Sequence, residues 1–317
     1  MARTSLPELA VSNSSTGRRP ADRTLAASLI VSVRPGEWTK NLFVFAAVLF
    51  GQRLADPVAV GRATAAFVIF CALAGVVYLV NDVADRDRDR QHPRKRDRPI
   101  ASGALSVSTA LTAAGLLGIG ALAWAWWMGR DFGLVATAYV LLLVLYSGPL
   151  KHIVIIDVLT IAIGFVLRVV AGAVAIGVPI SQWLLICTIL LALFLGLSKR
   201  RHEIVLLADG ATGHRRILQE YSPYLLDQMI GVVTASTLMA YILYATSHET
   251  AEKFGTSLLG LTIPFPLYGI FRYLYLVHRK EGGGSPAELL LNDRPLLACV
   301  ALWAVAVVVI IYRPFGI

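Results

Sequence analysis

Apolar residues in this chain run on for about twenty positions at a time, and short polar segments break them up. Runs of that length are what an α-helix needs to cross a bilayer. The pattern predicts an all-α, integral membrane bundle of nine transmembrane helices: 38–55, 60–82, 104–127, 132–148, 154–176, 182–198, 225–247, 257–276 and 296–312. The first and fourth are short. Trp38, Trp126, Trp127 and Trp183 fall near span ends, where an aromatic belt belongs. The stretch 24–33 is too short to span and is predicted to lie in the interface as a lead-in helix. Residues 1–23 are polar and lack the apolar core of a signal peptide. They are expected to form a disordered cytoplasmic tail, leaving 24–317 as one transmembrane domain.

Composition agrees with this layout. The 317 residues are 56% hydrophobic and 15% charged, whereas a soluble domain carries about 25% charged residues. The net charge of +9 is first a topology signal. Of 29 Lys and Arg, 22 fall on the side that holds the N-terminal tail and the loops 83–103, 149–153, 199–224 and 277–295, and five on the other. The bias puts the tail and those loops in the cytoplasm. An odd span count then puts Ile317 outside. No basic stripe with interleaved aromatics marks a nucleic-acid partner. Cys71, Cys187 and Cys299 lie in apolar runs without metal or redox spacing.

One polar segment stands apart. Asn81 to Gly103, NDVADRDRDRQHPRKRDRPIASG, follows the second apolar run directly. A helix continued through it at about 100° per residue gathers Asn81, Asp82, Asp85 and Asp89 within roughly a 100° arc, with Asp87 on the far side. Such a face suits Mg²⁺, which takes a few carboxylates plus phosphate oxygens and water. It equally suits an exposed charged helix laced with i,i+3 and i,i+4 ion pairs. Spacing alone leaves both open.

The run Asn81-Asp82-x-x-Asp85-x-x-x-Asp89, then His92-Pro93-x-Lys95-x-x-Arg98-Pro99-Ile100-Ala101-Ser102-Gly103, resembles the first signature of the UbiA-type prenyltransferase superfamily. The resemblance implies a nine-helix fold with a cavity facing the cytoplasm. It implies Asn81, Asp82, Asp85 and Asp89 as ligands of Mg²⁺ or of a diphosphate, and Lys95 and Arg98 as cationic partners of the phosphates. Typical members carry a second Asp-rich motif after the sixth span. Here that place reads Ser198-Lys199-Arg200-Arg201-His202-Glu203, with Asp209 as the next carboxylate. These residues suit phosphate oxygens better than a second metal cage, because Lys and Arg donate charge-assisted hydrogen bonds.

With Arg34-Pro35-x-x-Trp38-x-Lys40-Asn41 and the run Lys199 to Tyr221, this departure is similar to one branch, the decaprenyl-phosphate phosphoribosyltransferases. The branch implies transfer of a 5-phosphoribosyl group from phosphoribosyl pyrophosphate to a polyprenyl phosphate in the cell membrane, for cell-wall arabinose-type precursors. On that reading Asp82, Asp85, Lys40 and Lys151 serve catalysis. Asn41, Lys95, Arg98, Tyr146, Lys199, Arg200 and Glu203 contact the substrates. A phosphate nucleophile is already ionised near neutral pH, so positioning and electrostatics carry most of the catalysis. The implied partners are the lipid, the phosphoribosyl donor and the membrane, with room for a homo-oligomer.

Two other readings compete. An ordinary prenyl transfer from a prenyl diphosphate to an aromatic acceptor conflicts with the missing second Asp motif. A lipid-phosphate transporter leaves the Asn/Asp face unexplained, and no matched pair of Gly/Pro-broken spans is present. Asp157, in the first turn of the fifth span, suits a polar role at the cavity mouth. Arg168 lies about 16 Å further along that helix. An intramembrane Arg is a functional candidate by default; here the expectation is a structural one, bonded to carbonyls or hydroxyls. Arg272 is expected to snorkel. Gly282-Gly283-Gly284 is read as a linker.

Overall fold

A computed structural model of the chain describes residues 24–92, 95–208, 216–279, 289, 290 and 292–312. Asp209 and Gly282 to Gly284 lie outside them. Helix α1 (Leu25–Ser32) is the expected lead-in: Thr24 caps it, Leu25, Ile30 and Val31 face outward, and Ser28 and Ser32 are buried. A 3₁₀ helix, Pro35–Phe45, and the short α2, Ala46–Phe50, follow. Then come α3 (Pro57–Ala84), α4 (Arg86–Gln91), α5 (Pro99–Ser102), α6 (Val107–Met128), α7 (Arg130–Ser147) and α8 (Ile156–Ile176). The rest are α9 (Gln182–Ala208), α10 (Pro223–Thr246), α11 (His248–Phe254), α12 (Pro264–Arg279) and α13 (Arg294–Tyr312).

Seven of these are long and apolar enough to cross a membrane: α3, α6, α7, α8, α9, α10 and α13. An eighth candidate is a bent pair, His248–Phe254 with Leu258–His278, turning 103° at the break. Nine were expected. The expected first span, 38–55, is the main difference. It is a 3₁₀ helix of 11 residues followed by five α-helical ones.

Geometry explains that form. Arg34 bonds Asp82 near the end of α3, while the N–H of Leu54, close to the start of α3, donates to the Tyr312 hydroxyl of α13. The segment between them therefore runs the length of α3 in the opposite direction. At about 2.0 Å per residue in 3₁₀ form and 1.5 Å in α form, Pro35–Phe50 reaches about 30 Å, against about 24 Å for an all-α helix. So the stretched form covers the distance with few residues. Long 3₁₀ runs are uncommon because their hydrogen-bond geometry is poorer; this one is held from outside.

Two helices do the holding, and both are largely buried. α3 packs on α6 through Ala110, Ala114, Ala121 and Ala125, small residues four and seven apart that let backbones approach in the absence of a hydrophobic drive. α8 joins the two halves of the bundle. Its Val158 sits in the core of α9, α10, α12 and α13, and its Ala171 and Ala175 sit in the core of α3, α6 and α7. The 3₁₀ segment lies against α8. At Gly172 a Cβ would fall 1.9 Å from the Val44 carbonyl oxygen, so only glycine permits the approach.

Gly172→Ala therefore must push the segment off α8. Overpacking of this kind costs about 1–3 kcal/mol, so the variant is expected to melt several degrees below the parent in detergent. Equal melting temperatures would show that the segment shifts without cost.

Candidate active site

The chemistry-bearing residues gather at the end of the bundle where α3 stops. α3 ends at Ala84; Asp85 adopts φ −93° and ψ 4°, and α4 restarts at Arg86. The break leaves the register nearly intact, since Asp85 N–H bonds the Asn81 carbonyl and Asp89 N–H bonds the Asp85 carbonyl, both at 2.8 Å. Asp82 and Asp89 accordingly stay on the inner face, each 3% exposed, and Asp87 points out as expected. Asn81 is half-buried beside them. Asp85 is the departure: its side chain is 41% exposed and faces Arg88 at 3.7 Å.

Arg98 ties the two buried carboxylates together, with Nη1 2.7 Å from Asp89 Oδ2 and 3.0 Å from Asp82 Oδ1. Arg34 adds a bond of 2.5 Å to the same Asp82 oxygen and stacks over the Tyr78 ring, 4.7 Å from its centroid. Arg34 itself holds φ 54°, a left-handed conformation uncommon outside glycine, as the chain turns from α1 into the 3₁₀ helix. Arg98, expected to face phosphate, thus neutralises the acids. Lys95 is exposed and is not drawn into this cluster.

A second cluster forms where α8 meets α9. Arg200 is only 2% exposed and is spent on protein partners: Nε donates to Asp157 Oδ2 at 2.8 Å, Nη1 to Glu203 Oε2 at 2.5 Å and Nη2 to the Tyr146 hydroxyl at 3.2 Å. Direct phosphate contact by Arg200, the sequence expectation, is therefore corrected to a role in holding Tyr146 and Glu203. A fully buried charge costs several kcal/mol unless it is paired in this way. The Tyr221 hydroxyl donates to Asp157 Oδ1 at 2.9 Å and accepts the Ile155 N–H at 2.7 Å. Burial, and then the bond to Asp157, push that phenol up to about 12, so it remains a donor at neutral pH. Ile155 sits at φ 69°, which a β-branched residue adopts only under constraint, and the Tyr221 bond holds it there. Arg201 pairs with Asp227 on α10.

The 3₁₀ helix lies between the clusters. Residues three apart eclipse in this helix, so Arg34, Glu37, Lys40 and Phe43 form one column. Asn41 and Val44 form a second, buried column, and Gly36, Thr39 and Leu42 lie on the third. Lys40 pairs with Glu37. Lys199 lies within electrostatic range of Lys40, Glu203, Arg200 and Glu37, yet among the described residues no carboxylate ion-pairs with it. Lys151 sits half-buried in the short 3₁₀ turn Leu150–His152 beyond Tyr146. The Ser147 and Ser198 hydroxyls, neighbours of Tyr146 and Lys199, are buried without hydrogen-bond partners among the described residues.

Asn41 requires a second correction. It was expected at the substrate, but it is 1% exposed and faces α8 and α3: Oδ1 accepts from Arg168 Nε at 2.7 Å, and Nδ2 donates to Cys71 Sγ at 3.2 Å. Arg168 also donates to the Gly164 carbonyl at 2.8 Å and the Tyr139 hydroxyl at 2.6 Å, the structural bonding expected of it. Arg272 does not snorkel; it forms a two-pronged pair with Asp293, at 2.8 and 3.2 Å. Sequence reasoning gave no role to Arg34 or Glu37. The three-residue spacing Arg34-x-x-Glu37-x-x-Lys40 was the available signal, hidden by assuming an α-helix.

For Mg²⁺ the donor chemistry fits in a specific way. Among the described residues no three acidic, imidazole or thiol groups converge as a ready cage. Asp82 and Asp89 do present oxygens to one shared guanidinium nitrogen. Mg²⁺ is usually held by one or two carboxylates with substrate phosphates and waters completing its shell. Asp82 and Asp89, with Asn81 beside them, match that requirement.

Comparison with known proteins agrees with these features. The UbiA prenyltransferase family model matches residues 41–291. The chain is 34% identical over 296 residues to a decaprenyl-phosphate phosphoribosyltransferase of Mycolicibacterium smegmatis, covering 89% of this chain and 91% of that one. It is 34% identical over 308 residues to the protein of that name from Corynebacterium glutamicum, covering 93% and 90%. Among solved structures, a UbiA homolog from Archaeoglobus fulgidus bound to GPP and Mg²⁺ superposes with a TM-score of 0.69 at 20% identity, covering 90% of this chain and 99% of that one, which shows the shared fold. The chain belongs to the UbiA prenyltransferase family.

Proposed function

We propose that this chain transfers the 5-phosphoribosyl group of phosphoribosyl pyrophosphate to a polyprenyl phosphate, decaprenyl phosphate in the relatives' case, and releases diphosphate. The relatives that match nearly end to end carry that activity in their names. The observation that carries the reading is Lys199. It is a half-buried ammonium beside a second cation, Lys40, and no carboxylate pairs with it among the described residues, where prenyl-diphosphate enzymes of this fold carry acids. Like charges placed together in a low-dielectric site call for an anion between them.

In this reading Asn81, Asp82 and Asp89 hold the diphosphate end of the donor with Mg²⁺. When bound, the metal neutralises and orients the leaving group. Arg98 pairs with Asp82 and Asp89, and Arg34 with Asp82; Arg98 is the cation that would turn to the phosphates of the bound donor. Asp85, at the rim, would be a further carboxylate available to such a metal. Lys40, Lys199 and Lys151 take the lipid phosphate and the ribose 5-phosphate, and Tyr146, fixed by Arg200 with Glu203, borders them. Lys95 adds a cation at the mouth. A lipid phosphate oxygen attacks ribose C1 as the C1–O bond to diphosphate breaks, through an oxocarbenium-like state. Inline attack inverts that carbon. No proton needs to move, because the nucleophile is already an anion.

The same proposal places the site on the cytoplasmic side of the plasma membrane, supported by the Lys and Arg bias. It counts nine crossings: seven long helices, the bent pair, and Pro35–Phe50, whose reach of about 30 Å equals the hydrocarbon thickness.

Purified protein with Mg²⁺, polyprenyl phosphate and labelled phosphoribosyl pyrophosphate is expected to yield a labelled, lipid-soluble product, and chelation of the metal is expected to stop it. Label transfer from a prenyl diphosphate to an aromatic acceptor, with none from the ribose donor, would overturn the assignment. Lys199→Ala is expected to lower kcat/KM about a hundredfold, the usual cost of removing one charge-stabilising donor, with little change in melting temperature. Full activity in that variant sinks the phosphate role. Asp82→Ala is expected to abolish turnover in folded protein, as judged by size-exclusion profile; retained turnover would reduce the acidic face to a structural ion-pair network.

A further inference from the structure

We infer that Arg168, buried inside the bundle and in contact with none of the residues assigned to the substrates except through Asn41, is a positioning residue for the reaction, acting on Lys40 through Asn41. The inference rests on the reading of Lys40 as a phosphate-binding group.

Arg168 is a charge inside the bundle whose guanidinium, among the described residues, bonds neutral groups: the Asn41 amide oxygen, the Gly164 carbonyl and the Tyr139 hydroxyl. Its remaining contacts are the faces of Tyr139 and Phe165, 4.9 and 5.0 Å from the ring centroids. A structural link alone would be cheaper with an uncharged side chain, since a cation at membrane depth is costly. What a guanidinium adds is direction. Its rigid fork fixes three acceptors at set angles, and one of them is the residue next to Lys40.

The segment that Arg168 grips has little rigidity of its own. An 11-residue 3₁₀ helix has poor internal hydrogen bonds. α8 fixes it at three successive points: Phe165 against Phe43 with ring centroids 5.0 Å apart, Arg168 on Asn41, and Gly172 under the Val44 carbonyl. All three lie on or beside the buried column. The opposite consequence appears on the charged column. With Asn41 locked, the eclipsed stacking of a 3₁₀ helix brings Glu37 and Lys40 into line with Arg34, toward Lys199. Relaxation of the same residues to an α-helix turns each successive member of that column by about 60° away from its predecessor, and Lys40 leaves Lys199. α8 also carries Asp157, which holds Arg200. One helix therefore fixes the distance between the two cationic sides of the site.

The test is a double-mutant cycle on Asn41→Ala, Arg168→Lys and Lys40→Ala in the full-length protein, read by kcat/KM for phosphoribosyl pyrophosphate and by binding of inorganic phosphate, the probe of the lysine side of the site. Misplacement of a binding group by about an ångström costs one to two powers of ten. Asn41→Ala and Arg168→Lys are each expected to lose about tenfold or more through KM, with the protein still folded. In the Lys40→Ala background each is expected to add less than about twofold, because coupled residues are non-additive. Losses that multiply fully with Lys40→Ala, or that merely follow the folded fraction, overturn the inference; if Arg168→Lys does not fold, Asn41→Ala decides alone. A parent protein that binds inorganic phosphate but transfers no ribose refutes the functional reading, and the binding cycle still decides the role of Arg168. A parent that neither binds nor transfers refutes both.

Discussion

A mismatch of lengths governs this molecule. The 3₁₀ segment and its neighbours must return along α3, a helix of 28 residues, with far fewer residues than α3 uses. Extra rise per residue is the available solution, and the 3₁₀ helix supplies it. Its weak internal bonding then makes the segment dependent on α8. From that dependence follow the glycine at 172, the burial of Asn41 and a charged side chain, Arg168, in the interior. The same geometry puts Arg34, Glu37 and Lys40 on one edge, between the acids of α3 and the cations of α9.

Charge at the site is balanced locally, with a few deliberate gaps. Asp82 and Asp89 are covered by Arg34 and Arg98, Arg200 by Asp157 and Glu203, and Arg201 by Asp227. Each buried ion thus has partners, as low dielectric demands. Lys199 and Lys151 form no ion pair among the described residues, and Lys199 is the one within electrostatic range of Lys40 and Arg200. An anionic ligand is then attracted to a particular place and not to the basic loop in general. In the proposed function, the two acids shared with Arg98 are the complementary place for a metal-bound diphosphate, because one guanidinium can exchange its carboxylates for phosphate oxygens with little change in net charge.

Much of the site was legible in the sequence because its signals are local. Asn81, Asp82 and Asp89 share a helical face whatever surrounds them, and Asp87 must leave it. Asp157 in a first helical turn and Arg168 three turns on were likewise readable as polar residues of one buried helix. Arg200 and Asn41 were misjudged for a common reason. A basic or amide side chain in a motif carries no mark of whether its partner will be substrate or protein, and that partner lies 43 residues away for Arg200 and 127 for Asn41. The expected first span was read as a regular α-helix because hydropathy records apolar length and is silent about rise per residue.

The sequence by itself determined that the chain is a membrane bundle, which segments gather its acids and bases, and which residues can offer oxygens or positive charge there. These follow from composition, periodicity and short spacings, which need only a few neighbouring residues to be expressed. The tertiary structure decided which of those charges are already neutralised. It also turned Pro35–Phe45 into a 3₁₀ helix and made Arg168 the support of the residue beside Lys40. Those outcomes depend on which helix lies against which, and on how closely two backbones approach. Both are set by packing between segments far apart in the chain, so no local pattern could express them.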